Sequence, residues 1–359
     1  MKIYLLIIGK KPLLESFSFK KLLTMLSDYG HDISEIKFIS SLEGIKVMFD
    51  LFESNSVVLT VGETNAAREL FEGIATHKGS NFYTYQSVTY FPLDSIDEKL
   101  ILGTLVPALN TKSNNLCNTV IFKTFELSEA DIMDLIQPII KQAPKGKMEF
   151  TISQSGMECI LKIKYMQNCP SAICNQIIFD IGKALDKYIF AKKDVSLVSQ
   201  AAALLLKSGR KLSIAESFTG GGVASSLISV PGMSRCLLES LVTYSHESKM
   251  YRLGVHKEIL DKYGAVSAET AYEMALGLFR NPDADIVIST TGNAGPDVEN
   301  GSVGMAFFAI GDKNNIHMYR SNLSVMNAEN KTETEIREEI TDMGIKSALF
   351  GLIKYLDNN

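Results

Sequence analysis

The sequence predicts a multidomain α/β protein, and three observations carry that prediction. Short apolar runs alternate with amphipathic stretches through residue 110, the β-α repetition of a parallel sheet with helices on its faces. From about Asn118 the order changes to strand, helix, strand, strand, helix. A chain of 359 residues is also longer than one core of ordinary size organises.

Each element follows from its local pattern. Residues 2–9 read as a strand and 17–29 as a helix, with Leu22, Leu23 and Leu26 on one face. Residues 32–39 form a second strand, 42–52 a helix, and 56–62 a buried strand around Val57, Val58 and Leu59. In the middle region, 119–123 is a strand and 128–142 a helix capped by Ser128. Strands at 148–153 and 158–165 and a helix over 171–185 complete a small α+β module. The third region opens with a helix over 196–207, passes Gly209, and enters a strand at 211–216 that stops at Ser217. Strands at 241–244, 285–290, 302–311 and 316–323 precede a closing helix over 333–356. The expected division is 1–117, 118–192 and 193–359.

Composition narrows the function. Hydrophobic content of 46% and charged content of 21% are ordinary for a globular protein. No run approaches the roughly 18 apolar residues of a membrane span, and the apolar opening lacks a cleavage site, so neither membrane nor export is expected. A net charge of −5 without a basic block argues against nucleic acid as the main partner. The 5 cysteines have no CxxC spacing, indicating neither a disulfide framework nor a zinc site, and a reducing cytoplasm is the expected compartment.

Three segments could do chemistry. The first is AESFTGGG at 215–222. A serine ending a strand, with glycines opening a helix, stands where amides and the helix dipole favour an oxyanion or a phosphate. Alternatively Ser217 or Thr219 only caps that helix. The second segment, TYSHESK at 243–249, offers two bases for a serine hydroxyl. Lys249 could serve if its amine is held neutral, and His246 is the competitor. Tyr244 could steady the proton. The third, STTGNAGPD at 289–297, follows an apolar strand; a loop at such a strand's carboxyl end is where ligands bind in α/β folds, unless it is a plain turn.

Taken together these segments resemble the CinA family. The resemblance rests on AESFTGG at 215–221, VPGMS at 230–234, VTYSHESK at 242–249, LGV at 253–255, GAVSAETA at 264–271, TTGNAGPD at 290–297 and Arg337. It covers nearly all of 194–359. It implies a nicotinamide mononucleotide deamidase with Ser217 as nucleophile, Lys249 as base and Tyr244 supporting the pair. The expected substrate-binding groups are Thr219, Gly220 and Gly221, then Thr291, Gly292 and Asn293, with Arg337 approaching the substrate. Ser217 would attack the carboxamide, releasing ammonia and then nicotinic acid mononucleotide, with no cofactor and no metal. His246 is not part of the family's site. The chain departs from the family in a shorter segment at 298–302, in Asn293 where an aliphatic residue is usual, and in a longer stretch at 321–335 ahead of Arg337.

The amino-terminal region resembles the family's molybdopterin-biosynthesis-like domain in degenerate form. Gly9-Lys10-Lys11-Pro12 stands where that domain has an acidic turn, and Val61-Gly62-Glu63-Thr64 where it has a glycine-rich loop and paired aspartates. Loss of the associated pyrophosphatase activity is therefore expected, leaving a structural or dimerising role and a homodimer. The rival readings are an interaction protein that has lost its rate and a phosphohydrolase working through the first domain on ADP-ribose-like dinucleotides.

Overall fold

The computed structural model describes residues 1–8, 19–29, 31–39, 52–62, 64–78, 82–85, 87–93, 98–112, 117–166, 169–298, 301–325 and 328–357. The protein is multidomain α/β, and the described residues form three sheets. By tertiary contact the chain divides into two units. One holds Met1–Ile121, Met133–Ile152 and Leu161–Ala184; the other holds Phe122–Ile132, Ser153–Ile160 and Leu185–Asn359.

The first sheet has six strands: β1 (Ile3–Ile8), β2 (Glu35–Ile39), β3 (Val57–Gly62), β4 (His77–Lys78), β5 (Tyr83–Tyr85) and β6 (Val88–Leu93), in the order β2-β1-β3-β6-β5-β4. The first four in that order are parallel, whereas β5 pairs antiparallel with β6 and β4 antiparallel with β5. The expected all-parallel sheet is thus mixed at one side. Strand β1 is buried along its whole length because both faces are covered. Ile3, Leu5 and Ile7 pack with Leu22 and Leu26 of α1 (Phe19–Asp28), while Tyr4, Leu6 and Ile8 pack with Ala67 and Phe71 of α2 (Thr64–Ile74). The helix expected over 42–52 lies, but for Phe52, outside the described residues, as do Gly9 to Pro12 and Glu63.

The second sheet contains β7 (Cys117–Phe125), β8 (Met148–Ser155), β9 (Glu158–Met166) and β10 (Ile189–Ala191) in the order β10-β7-β9-β8. Its helices are α3 (Glu129–Ile140) and α4 (Ser171–Ala184). Ser128 caps α3, its Oγ accepting the Asp131 amide at 3.1 Å, and the Asp131 carboxylate accepts the Ser128 amide in return. The three-residue β10 has too little pattern to be seen in the sequence. The cysteine expectation also needs correction. Cys169 and Cys174 are joined by a disulfide, their Cα atoms 6.7 Å apart across the entry to α4, whereas Cys159 and Cys236 are buried and free.

The third sheet comprises β11 (Leu212–Glu216), β12 (Leu237–Val242), β13 (Ile286–Gly292), β14 (Met305–Gly311) and β15 (Ile316–Asn322), ordered β12-β11-β13-β14-β15. Strand β12 begins and ends earlier than the expected 241–244. β12, β11 and β13 are parallel, β14 pairs antiparallel with β13, and β15 antiparallel with β14. Side chains again alternate between two cores. Leu212, Ile214, Ile286, Ile288 and Phe308 meet α5 (Leu197–Ser208) and the long α9 (Glu333–Asp357). Ala215, Val287 and Ala309 meet α8 (Ala268–Leu278). Between these come α6 (Gly222–Ile228) and α7 (Lys257–Tyr263). No helix among the described residues is long and apolar enough to cross a membrane.

Candidate active site

Ser217 stands one residue beyond β11 and stays locked to the sheet. Its amide donates to the Thr290 carbonyl at 3.1 Å, and the amide of Thr243 donates to the Glu216 carbonyl at 2.8 Å. The nucleophile candidate is therefore held between β13 and the end of β12, at the carboxyl ends of three parallel strands. The chain then turns sharply, with Gly220 at φ +59° and Gly221 at φ +95°. Only glycine adopts these values without strain.

Lys249 arrives from the other side. Ser245 caps a helical turn over His246–Ser248, its Oγ accepting the Ser248 amide at 3.1 Å. That turn continues into a π-helical segment, Lys249–Leu253, closed by left-handed Gly254. Helix α8 presses against this segment because Gly277 has no side chain. A Cβ there would lie 2.1 Å from the Leu253 carbonyl oxygen.

The two side chains meet. Lys249 Nζ lies 2.9 Å from Ser217 Oγ, 2.8 Å from the Thr243 carbonyl oxygen and 2.9 Å from that of Tyr244. Lys249 has no exposed surface and Ser217 is 7% exposed. The carbonyls can only accept, so Nζ donates to both, and it donates as well toward the Ser217 hydroxyl oxygen.

The other expected residues take varied places. The base candidate that meets the Ser217 hydroxyl is Lys249. Tyr244 reaches Lys249 through its carbonyl, while its phenol, on a 62% exposed residue, accepts from Arg337 Nη2 at 2.9 Å. Arg337 Nη1 also donates to the Gly295 carbonyl, so this guanidinium joins α9, the 291–297 loop and Tyr244. Thr219 and Thr290 share a hydroxyl bond of 2.7 Å. Thr291 donates to the Ala265 carbonyl at 2.7 Å. Gly292 pairs with Ala306 so closely that a Cβ would come within 2.9 Å of the Ala306 Cβ. Asn293 is buried and closes its loop: its amide donates to the Met305 carbonyl, its own carbonyl accepts the Gly304 amide, and Nδ2 reaches the Ser302 carbonyl at 3.3 Å. Residues 299–300 of the shortened segment lie outside the described residues.

Neither Ser217 nor Thr219 caps α6. That place belongs to Glu216, which the sequence reading passes over. Its buried carboxylate accepts the amides of Gly221, Val223 and Ala224. An acid inside a strand end next to a glycine-opened helix is the signal that could have found it.

Comparison with known proteins bears on the same region. Residues 194–350 match the family model described as the CinA C-terminal domain. A Clostridium kluyveri protein named as competence-damage inducible is 36% identical over 199 residues, 54% of this chain and 47% of that protein. A CinA-like protein from Endomicrobium trichonymphae is 32% identical over 226 residues, 61% of this chain and 53% of its own. The chain thus spans about half the length of the curated relatives it matches. Among solved structures, competence damage-inducible protein A from Klebsiella pneumoniae subsp. pneumoniae MGH 78578 is 29% identical, covering 45% of this chain and 95% of that one with a TM-score of 0.41.

Proposed function

From a carboxy-terminal region, residues 194–350, that belongs to the CinA family, we propose a cytoplasmic serine amidase that hydrolyses nicotinamide mononucleotide to nicotinic acid mononucleotide and ammonia, as a step of pyridine-nucleotide salvage. The observation that carries this reading is the buried 2.9 Å contact between Lys249 Nζ and Ser217 Oγ. A serine hydroxyl beside a neutral amine is the arrangement that nucleophilic acyl transfer needs.

In this mechanism Lys249 takes the Ser217 proton as Oγ attacks the carboxamide carbon. The resulting ammonium then hands that proton to the departing nitrogen, which leaves as ammonia and gives an ester on Ser217. Water, giving a proton to the same amine, attacks the ester carbon; the C–O bond to Ser217 breaks, the ammonium returns the proton to Oγ, and the acid product leaves. The amides of Phe218 and Thr219 donate to no acceptor among the described residues, and we assign them to the oxyanion. The helix start is an unsuitable phosphate site because Glu216 already occupies it, so the phosphate falls to Arg337. Thr219, Gly220, Gly221, Thr291, Gly292 and Asn293 shape the substrate space, the two threonines mainly through the loops their hydroxyls brace. The three-domain division at 117 and 192, a degenerate amino-terminal domain and a homodimer belong to the same proposal.

The test is ammonia release from nicotinamide mononucleotide by wild type, Ser217→Ala and Lys249→Ala. Loss by orders of magnitude in both variants supports the pair. A well-folded wild type that releases no ammonia refutes the activity.

A further inference from the structure

Beside the nucleophile sits a fully buried carboxylate for which the reaction above has no chemical use. Glu216 Oε2 accepts the Gly221 amide at 2.9 Å and the Val223 amide at 3.1 Å. Oε1 accepts the Ala224 amide at 3.1 Å and the Ser240 hydroxyl at 3.2 Å. The side chain therefore runs from the residue before Ser217, across the turn, to the start of α6 and to β12.

We propose that Glu216 is the positioning residue of the oxyanion site, an inference that rests on the serine-amidase reading. The turn has few amides to offer. Ser217 gives its amide to the Thr290 carbonyl at 3.1 Å, Gly220 to the Ser217 carbonyl at 3.1 Å, and Gly222 to the Thr219 carbonyl at 2.9 Å. Gly221, Val223 and Ala224 give theirs to Glu216. Among the described residues the amides of Phe218 and Thr219, the two residues after the nucleophile, meet no acceptor, which leaves them for a ligand. Glu216 closes a ring around them: it is bonded at both ends of the turn, so the intervening peptides hold one geometry. Donors fixed in advance cost no reorganisation when charge develops on the carbonyl oxygen. Holding them affects the tetrahedral state more than the bound substrate, so the effect falls on kcat. The carboxylate also repels a phosphate from the amides of α6, which keeps the nucleotide's anionic end away from the reacting centre.

Glu216→Gln tests this. Glutamine keeps the size but turns an N–H2 group toward backbone donors. Deamidation kcat is expected to fall about 100-fold with KM changed less than about threefold. A second readout is the rate at which p-nitrophenyl acetate acylates Ser217, followed by intact mass against a Ser217→Ala blank; it too falls about 100-fold. Ser196→Ala, which removes the N-cap of α5, lowers stability without changing either rate, and so separates positioning from folding. If Glu216→Gln does not fold, Ser240→Ala, which removes one of the two donors to Oε1 and leaves the Ala224 amide in place, is expected to slow acylation three- to tenfold.

A folded Glu216→Gln protein that acylates at the wild-type rate, or loses activity only through KM, overturns the proposal. A wild type that is acylated by the ester yet releases no ammonia refutes the nucleotide substrate while the acylation comparison still decides Glu216. A wild type inert in both assays overturns both.

Discussion

Replacing Lys249 with methionine separates chemistry from architecture. Methionine preserves most of the side-chain volume at a position with no exposed surface and removes the amine. Two carbonyls lose their donor, those of Thr243 and Tyr244. The Tyr244 carbonyl is only part-buried, so its loss costs less. The cost then falls mainly on the Thr243 carbonyl, about 1–3 kcal/mol for a buried acceptor left unpaired. A volume-conserving swap adds less than about 1.5 kcal/mol. Against a typical domain stability of about 5–15 kcal/mol the variant stays folded, with a thermal midpoint a few degrees lower. Activity fares differently. General-base assistance is worth about 10²–10⁴-fold, and groups acting as a unit lose most of the rate when either is removed. Ammonia release from nicotinamide mononucleotide should therefore fall about 1,000-fold or more, beside circular-dichroism melts that retain a cooperative transition. A folded Lys249→Met enzyme within tenfold of the wild-type kcat/KM would falsify the amine's role as base.

Arg337→Ala removes charged hydrogen bonds to Tyr244 and Gly295; KM for the mononucleotide should rise about 10- to 100-fold, with little change for the riboside that lacks phosphate, as steady-state kinetics on both would reveal. Gly277→Ala drives a methyl group against the Leu253 backbone, so it should lower stability by about 1–3 kcal/mol and slow catalysis by shifting the segment that bears Lys249; melts and kcat check both. His31 is buried against Asn110 at 2.7 Å, and burial holds its ring below the usual histidine value despite that bond. The unfolded chain therefore binds the proton more readily. The neutral ring's contribution is complete above the unfolded value of about 6.5 and is lost as pH falls through the depressed folded one. Melts between pH 8 and 5 should show the amino-terminal unit weakening on acidification, less so in His31→Gln.

Periodicity in the sequence determined most of the secondary structure. Runs such as residues 57–59 and 286–288 read as strands with both faces covered, because every side chain in them is apolar. Ser128 and Ser196 mark helix starts by local capping chemistry, and the motif resemblance brought Ser217 and Lys249 into one list of candidates. Tertiary structure decided the rest, for a common physical reason: side-chain direction and hydrogen-bond partner are fixed by neighbours remote in sequence. Whether Tyr244 faces Lys249 with its phenol or its carbonyl depends on where α9 carries Arg337. Glu216 looks like an ordinary acid until the turn after Ser217 folds the amides of α6 onto it. Cys169 and Cys174 become partners only when the chain bends into α4. Gly277 is legible as a glycine, but its purpose belongs to Leu253, which packs against it across the core.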